Sequence, residues 1–521
     1  MNILEKYAVA VEETEPIKHI GRVQAVQGLL IKSLGPQAIM GELCQINIER
    51  TGESVWAEVV GLEGTIVRLM PYTETEGIEI GNPVVATGHG LQVGVSTAML
   101  GRVLNAMGRP IDEGPELIAD DYYPILADPP DVLRRRTIDQ QVETGVRAID
   151  ALVATGKGQR LGIFSGSGVG KSTLLGMIAR NTSADVNVIA LIGERGREVR
   201  EFIENDLGEE GLERSVVVVS TSNTPALARL RAAYVATAIA EYFRDQDNDV
   251  MLMFDSVTRF ARAQREIGLA RGEGPASRGF PPSVDAVLPK LLERSGASDI
   301  GSITGFYTIL VEGDDIDEPV SDAVRGILDG HLILSRRLAQ RYHYPAIDVL
   351  ASVSRLERRV TPPHVQEAAG HIRTLPAAYN ENEDLINAGV YVRGSNDEID
   401  RAMDKMPEIN RLLRQRIEER SDVGETHGWL CDVADVYPPE EPAVDKVSTA
   451  GSATADDGAV ANSAPAAGNG LAAESGAAES DSPAESNAAA DIGAAGNGPA
   501  AENGGSGAGE ELEPIDEEPD A

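Results

Sequence analysis

The 521-residue chain carries 83 acidic against 46 basic side chains, a formal net charge of −37. That balance argues against sequence-independent binding to nucleic acid, a contact that depends on Lys and Arg neutralising phosphates. No apolar run approaches the roughly 20 residues that span a bilayer, and residues 1–13 lack the basic start and apolar centre of a signal peptide. The two cysteines, Cys44 and Cys431, form no metal or redox spacing and read as buried free thiols in a reducing cytosol. Only 8 of the 46 basic residues are lysines, and so acidic, lysine-poor a surface suits a high-salt cytoplasm that screens its self-repulsion.

The length allows two to four domains. Residues 1–20 open with a short helical pattern, Ile3, Leu4, Tyr7 and Val11 on one side, which fits either a partner-docking helix or a frayed terminus. Residues 21–95 break into short β-rich runs punctuated by turns, such as 28–32, 54–60 and 65–70, which predicts a small barrel or sandwich. Over residues 96–360 strands and helices alternate. The runs 186–192, 215–220, 250–255 and 302–311 are nearly continuous and apolar, as in a parallel sheet covered on both faces. After Thr361-Pro362-Pro363 the pattern is helical to residue 437. Residues 438–521 are mostly Ala, Gly, Ser, Asn, Asp and Glu, with 18 acids against one lysine, a net −17. Such a tail cannot bury enough apolar surface to offset chain entropy and is expected to be disordered.

The chemistry concentrates in Ser165-Gly166-Ser167-Gly168-Val169-Gly170-Lys171-Ser172, between the apolar run Leu161-Gly162-Ile163-Phe164 and a helical segment from Thr173. Glycines let backbone N–H groups converge on a phosphate. The lysine then reaches the β and γ phosphates of a nucleoside triphosphate, and the hydroxyl at the next position can ligate Mg²⁺. Ser165 stands where this P-loop pattern asks for glycine. The plainer alternative is a glycine-rich turn with an incidental lysine. The run Val250-Met251-Leu252-Met253-Phe254 ends in Asp255, which reads as an acid holding Mg²⁺ or as an ordinary helix N-cap. Glu194, in Gly193-Glu194-Arg195-Gly196-Arg197-Glu198, follows another buried run. It could activate water in line with the γ phosphate, or pair with Arg195 or Arg197 in a solvated loop.

The P-loop, the Gly193-Glu194-Arg195 turn and Phe254-Asp255-Ser256-Val257-Thr258-Arg259-Phe260-Ala261 together resemble the catalytic subunits of rotary ATPases and their relatives. Within that superfamily, Pro289 in Pro281-Pro282-Ser283-Val284-Asp285-Ala286-Val287-Leu288-Pro289 stands where synthase subunits have serine. Leu310-Val311-Glu312-Gly313-Asp314-Asp315, Leu328-Asp329-Gly330-His331 and His343-Tyr344-Pro345-Ala346-Ile347-Asp348 resemble the flagellar protein-export ATPases and their injectisome counterparts. The likeness spans residues 21–420, and the acidic tail has no counterpart in it.

The resemblance implies a RecA-like P-loop core (96–360) between a β-barrel (21–95) and a helical C-terminal domain (361–437). It implies Glu194 as catalytic base, Arg195 and Arg259 near the γ phosphate, and Tyr344 stacked on adenine. Arg355, in Ser352-Val353-Ser354-Arg355, is implied as an arginine finger reaching the neighbouring subunit's site in a homohexameric ring. On pattern alone Arg355 is one of a cluster with Arg358 and Arg359. Further implied are a stator-type negative regulator at the N-terminus, a stalk protein, export chaperones and export substrates at the C-terminal domain, and an export gate at the membrane. The expected place is the cytoplasm, peripheral to the inner face of the cell membrane. Three alternatives remain: a rotary synthase catalytic subunit, which Pro289 disfavours; an RNA-translocating ring helicase, which wants a basic, aromatic N-terminal domain; and a non-catalytic nucleotide-binding ring subunit, which would lack an acid at Glu194.

Overall fold

A computed structural model describes residues 19–311, 313 and 318–437. The N-terminal helix and the acidic tail expected from the sequence lie outside the described residues, as do Glu312, Asp314 and Asp315.

Six strands close a barrel in the order β1-β2-β5-β4-β3-β6: β1 Ile20–Gln27, β2 Leu30–Leu34, β3 Glu42–Asn47, β4 Ser54–Glu63, β5 Ile66–Pro71 and β6 Pro83–Gly90. All neighbours are antiparallel, and closure leaves no strand edge unpaired. Alternate side chains fill the interior, among them Ile31, Cys44, Ile46, Ala57, Leu69 and Val84, each fully buried. Burial, then the nearby Glu42 carboxylate, push the Cys44 thiol up to about 12, so it stays protonated and inert.

After β7 (Gln92–Val95), which pairs with β9 (Asp121–Pro124), the chain builds a larger sheet. Its strands are β8 Val103–Leu104, β10 Arg160–Ser165, β11 Val186–Ile192, β12 Ser215–Ser220, β13 Asp249–Asp255, β14 Gly296–Ala297, β15 Ser302–Leu310, β16 Gly330–Leu334 and β17 Val353–Ser354. The order is β17-β16-β10-β15-β13-β11-β12-β8; only β17 and β14 run antiparallel to their neighbours. Val188, Ala190, Leu252 and Phe254 pack on the helix Ala226–Asp245, while Ile189, Leu191, Met251 and Met253 face the opposite layer with the helix Lys171–Asn181. Burial on both faces explains why these strands read as nearly continuous apolar runs.

The barrel is fastened to this core by a buried ion pair. Arg231, on the helix Ala226–Asp245, donates through Nε to Glu58 Oε2 on β4 at 2.8 Å and through Nη2 to Oε1, and the Tyr72 hydroxyl donates to Oε2 at 2.8 Å. Removing one partner strands a buried charge, so Glu58→Ala should cost about 3–5 kcal/mol in urea unfolding, whereas Glu58→Leu with Arg231→Met should cost much less. Equal losses in the two variants would contradict this reading.

The chain ends its described part in helices Pro363–Glu381, Glu383–Asn387, Asp397–Leu413 and Val423–Ala434, which pack on the core beside the helix Arg147–Leu152. Arg147 ties the two regions: Nε donates to Leu412 O at 2.9 Å, Nη1 pairs with Glu419, and the guanidinium lies 5.1 Å over the Trp429 ring. His343 is buried in the same junction, beside a cavity of about 220 Å³ that also holds Arg337, Arg341, Asp348, Glu383 and Arg414. Burial, then the Arg414 charge, push its imidazole down to about 4. The unfolded chain, titrating near 6.5, therefore binds the extra proton first. Stability should be full above pH 6.5 and fall towards pH 4, by on the order of 1–2 kcal/mol from this group. Asp150, whose carboxyl burial lifts to about 7, works in the opposite direction, so the contribution of His343 is read as the difference between the parent chain and His343→Gln in urea unfolding at pH 7 and 4.5. A constant difference would exclude it.

Candidate nucleotide-binding site

β10 delivers the chain to the C-terminal edge of the sheet, where residues 166–170 turn back into the helix Lys171–Asn181. Gly168 and Gly170 hold φ of 76° and 97°, a region side chains avoid, and Gly170 serves as the helix N-cap. Ser165 still belongs to β10 and has no positive φ, so the missing glycine costs the loop nothing. Ser167 and Val169 complete the turn; Val169 is buried, pinning the loop from beneath. The loop and the first helical turn line a cavity of about 680 Å³ with Gly166, Lys171, Ser172, Thr173, Glu194 and Arg259.

The acids converge on the lysine. Lys171 Nζ pairs with Asp255 Oδ1 and lies 3.8 Å from Glu194 Oε1. Asp255 is not the helix N-cap that the sequence left open: the next helix, Val257–Arg271, is capped by the Ser256 hydroxyl, which accepts from Arg259 N at 3.4 Å. Asp255 instead turns to Lys171 and accepts from the Thr308 hydroxyl at 2.8 Å. Nor does Glu194 join a solvated arginine cluster, since Arg195 pairs with Glu198 at 3.1 Å and Arg197 with Glu201 at 3.3 Å. Burial first, then the Asp255 carboxylate, push the Glu194 carboxyl up to about 7 against the pull of Lys171 and Arg259. Gly193, with φ 72°, lets the strand end pass close to the Arg259 stem, where a Cβ would sit 3.0 Å from Arg259 Cβ.

Three buried polar atoms at this site have no hydrogen-bond partner: Ser165 Oγ, Glu194 Oε1 and Arg259 Nε. Buried groups are ordinarily paired, and two of these, on Glu194 and Arg259, belong to residues lining the one cavity, which marks a place built for a polar ligand. The donors offered here, the Ser172 hydroxyl and the Asp255 carboxylate, are hard oxygen ligands of the kind that suit Mg²⁺ shared with substrate phosphates.

Tyr344 stands on the other side of the loop; a Cβ on Gly170 would lie 3.7 Å from its ring. The ring is partly exposed and lines a second cavity of about 1030 Å³, together with Gly168, Thr173, Arg414, Ile417 and Trp429. Arg195 is exposed at the mouth of the first cavity. Arg355 is not at this site. It follows β17, whose Ser354 pairs with Gly330 at the start of β16, and its N–H donates to Asp329 O at 3.0 Å. Asp329 in turn accepts from Arg160 N at the first residue of β10. Arg355 is thus exposed at the N-terminal edge of the sheet, the edge opposite the loop that follows Ser165. Arg160 and Ser165 are the first and last residues of β10, five steps or roughly 16 Å apart. Arg355 does not line the cavity at the P-loop of its own chain.

Sequence reasoning missed Thr308, Glu198, Arg262 and Arg336, the last three of which line the phosphate-side cavity. Thr308 left one signal, a hydroxyl inside an otherwise apolar strand end; Arg262 sits one helical turn after Arg259.

Family models agree with this geometry along the chain. The ATP synthase alpha/beta family beta-barrel domain matches residues 23–88, its nucleotide-binding domain 145–354, and the T3SS EscN ATPase C-terminal domain 361–432. The flagellum-specific ATP synthase of Treponema pallidum is 59% identical over 80% of this chain and 94% of its own length, and that of Bacillus subtilis 52% over 78% and 94%. The chain belongs to the flagellar and type III secretion ATPase family. This family, a branch of the ATP synthase alpha/beta proteins, hydrolyses ATP. Its type 3 secretion member from Xanthomonas euvesicatoria is 51% identical over 80% of this chain and 95% of its own length. The assembled ATPase EscN of enteropathogenic E. coli superposes with a TM-score of 0.75 at 44% identity, covering 80% of this chain and all of EscN. A second EscN structure, in complex with its central stalk EscO, gives 0.74. Among the described residues no helix is long and apolar enough to cross a membrane.

Proposed function

We propose that this chain is the ATPase that energises protein export by the flagellar type III apparatus, working as a homohexameric ring with a catalytic site at each subunit boundary. The observation that supports the shared site is the separation of Arg355 from its own P-loop across the sheet, which leaves its exposed guanidinium away from the loop of its own chain. That EscN is known as an assembled ATPase supports a ring, and closure follows from a head-to-tail interface whose rotation completes a circle.

In this reading the loop N–H groups and Lys171 hold the ATP phosphates, and Tyr344 packs on adenine in the larger cavity. Ser172 and Asp255 would hold Mg²⁺, which would offset phosphate charge. Glu194 orients the attacking water and takes its proton, as its raised, burial-driven pKa equips it to do. Arg259 and Arg195 face the γ phosphate. The neighbour's Arg355 stabilises the charge that develops on the transferring phosphoryl. The helical C-terminal region, bound to the core through Arg147, moves with the nucleotide state and contacts a stalk protein, export chaperones and export substrates. A stator-type regulator docks at the N-terminus, and the ring works in the cytoplasm against an export gate at the membrane.

The flagellar assignment rests on the Treponema and Bacillus relatives exceeding the secretion ATPases in identity. Replacing the gene by its Glu194→Gln form in the source cell should leave flagellar subunits inside the cell and abolish swimming. Normal swimming with lost secretion of other proteins would assign the chain to an injectisome instead.

A further inference from the structure

Each end of β13 carries an aspartate held by one lysine and one hydroxyl from β15. At its start Asp249 takes Lys157 Nζ at 2.6 Å and the Ser302 hydroxyl at 2.7 Å. At its end Asp255 takes Lys171 Nζ and the Thr308 hydroxyl at 2.8 Å. The first set lies at the sheet edge away from the nucleotide loop and holds the fold. The second lies inside the candidate site, where its lysine has another task. Once phosphates occupy the loop, Lys171 is drawn to them, and Asp255 loses one of its two partners.

Thr308 is then the group that remains. The register sets Phe254 opposite Tyr307, so Asp255 falls beside Thr308, while Ile163 of the P-loop strand flanks Thr308 on the other side. Thr308 is fully buried between Tyr307 and Ile309, a place where the isosteric valine would pack as well and suit a strand better. Packing does not call for the hydroxyl; the carboxylate does. Both hydrogen bonds to Asp255 fall on Oδ1, which leaves Oδ2 as the oxygen for a further ligand.

We propose that Thr308 is a positioning residue for ATP hydrolysis: its O–H holds Oδ1 of Asp255 so that the carboxylate keeps its metal-facing orientation when Lys171 turns to the phosphates. The inference rests on Asp255 being the metal-side acid of the proposed site. A fluorescent ATP analogue is titrated onto the full chain in EDTA and again across a Mg²⁺ series, for the parent chain, Thr308→Val, Thr308→Ser, Asp255→Asn and Ser302→Ala, with thermal melts on each. Thr308→Val should bind the analogue in EDTA as the parent does, yet need about tenfold more Mg²⁺ to reach the metal-dependent fluorescence, the size expected for losing a hydrogen bond to a charged group. Thr308→Ser should return the midpoint to within about threefold, since it restores the donor. Ser302→Ala should lower the melt and leave the Mg²⁺ midpoint alone. A parental midpoint in Thr308→Val, with Asp255→Asn shifted, overturns the role of Thr308. A parental midpoint in Asp255→Asn overturns the metal-side reading of Asp255, and this proposal falls with it.

Discussion

ATP turnover by Glu194→Gln subunits should fall by about 10³-fold while ATP still binds within a few-fold of the parent affinity, as measured by phosphate release and by equilibrium binding. The substitution preserves size and keeps the side chain 3.8 Å from Lys171 geometrically feasible, so the loop and the cavity are undisturbed. It removes the one property the site has cultivated there, a carboxyl whose proton affinity burial and Asp255 have raised to about 7. An amide can orient water but cannot take its proton. Loss of binding together with turnover would show that Glu194 is a structural partner of Lys171. Unchanged turnover would move the base elsewhere in the cavity, to Glu198 first, since among the described residues it is the other acid that lines it.

Arg355→Ala should lower turnover by about 10³-fold as well, the range set by removing an arginine finger supplied in trans. Here the fold and the local site should be untouched, because the side chain is exposed and its hydrogen bond, Nη2 to Arg325 O at 3.5 Å, is weak. Nucleotide affinity measured on dilute, unassembled chains should therefore equal that of the parent, and rings should still form at high concentration by light scattering. For the parent, specific activity should climb with protein concentration; for Arg355→Ala it should stay flat. A variant that loses activity equally at every concentration, with weakened binding in the dilute chain, would place Arg355 in its own subunit's site.

Much of this site was legible from residue order. Lys171, Ser172, Glu194 and Asp255 all follow apolar strands, and in a parallel sheet the C-terminal ends of neighbouring strands share one edge, so residues far apart in sequence meet there. The strands Val186–Ile192 and Ser215–Ser220 could be read to both ends because burial on two faces leaves Asn187 as the one polar residue inside them. The barrel was harder. The apolar run at Gly28 suggested a strand start two residues early, but Gly28 holds φ 56° and forms the turn, so β2 begins at Leu30. β4 runs on to Glu63, past an irregularity between Val59 and Gly61 that shifts the alternation. What no pattern revealed was which edge of the sheet carries Arg355. That follows from β17, a two-residue strand set antiparallel against β16, too short to leave a periodic signal. Thr308 was hidden for a related reason: its hydroxyl matters through a cross-strand neighbour, and register is a property of the folded sheet.

The central claim is that each site is built from two chains, the P-loop half with Glu194 and the neighbour's Arg355. Mixing Glu194→Gln subunits with Arg355→Ala subunits tests it most directly, because each variant is inactive alone yet keeps the half the other has lost. Wherever the P-loop of an Arg355→Ala subunit meets the finger of a Glu194→Gln subunit, the site is whole, so phosphate release from the assembled mixture should rise well above the sum of the two separate preparations. A mixture no more active than that sum, in rings shown to contain both variants, would contradict the shared site.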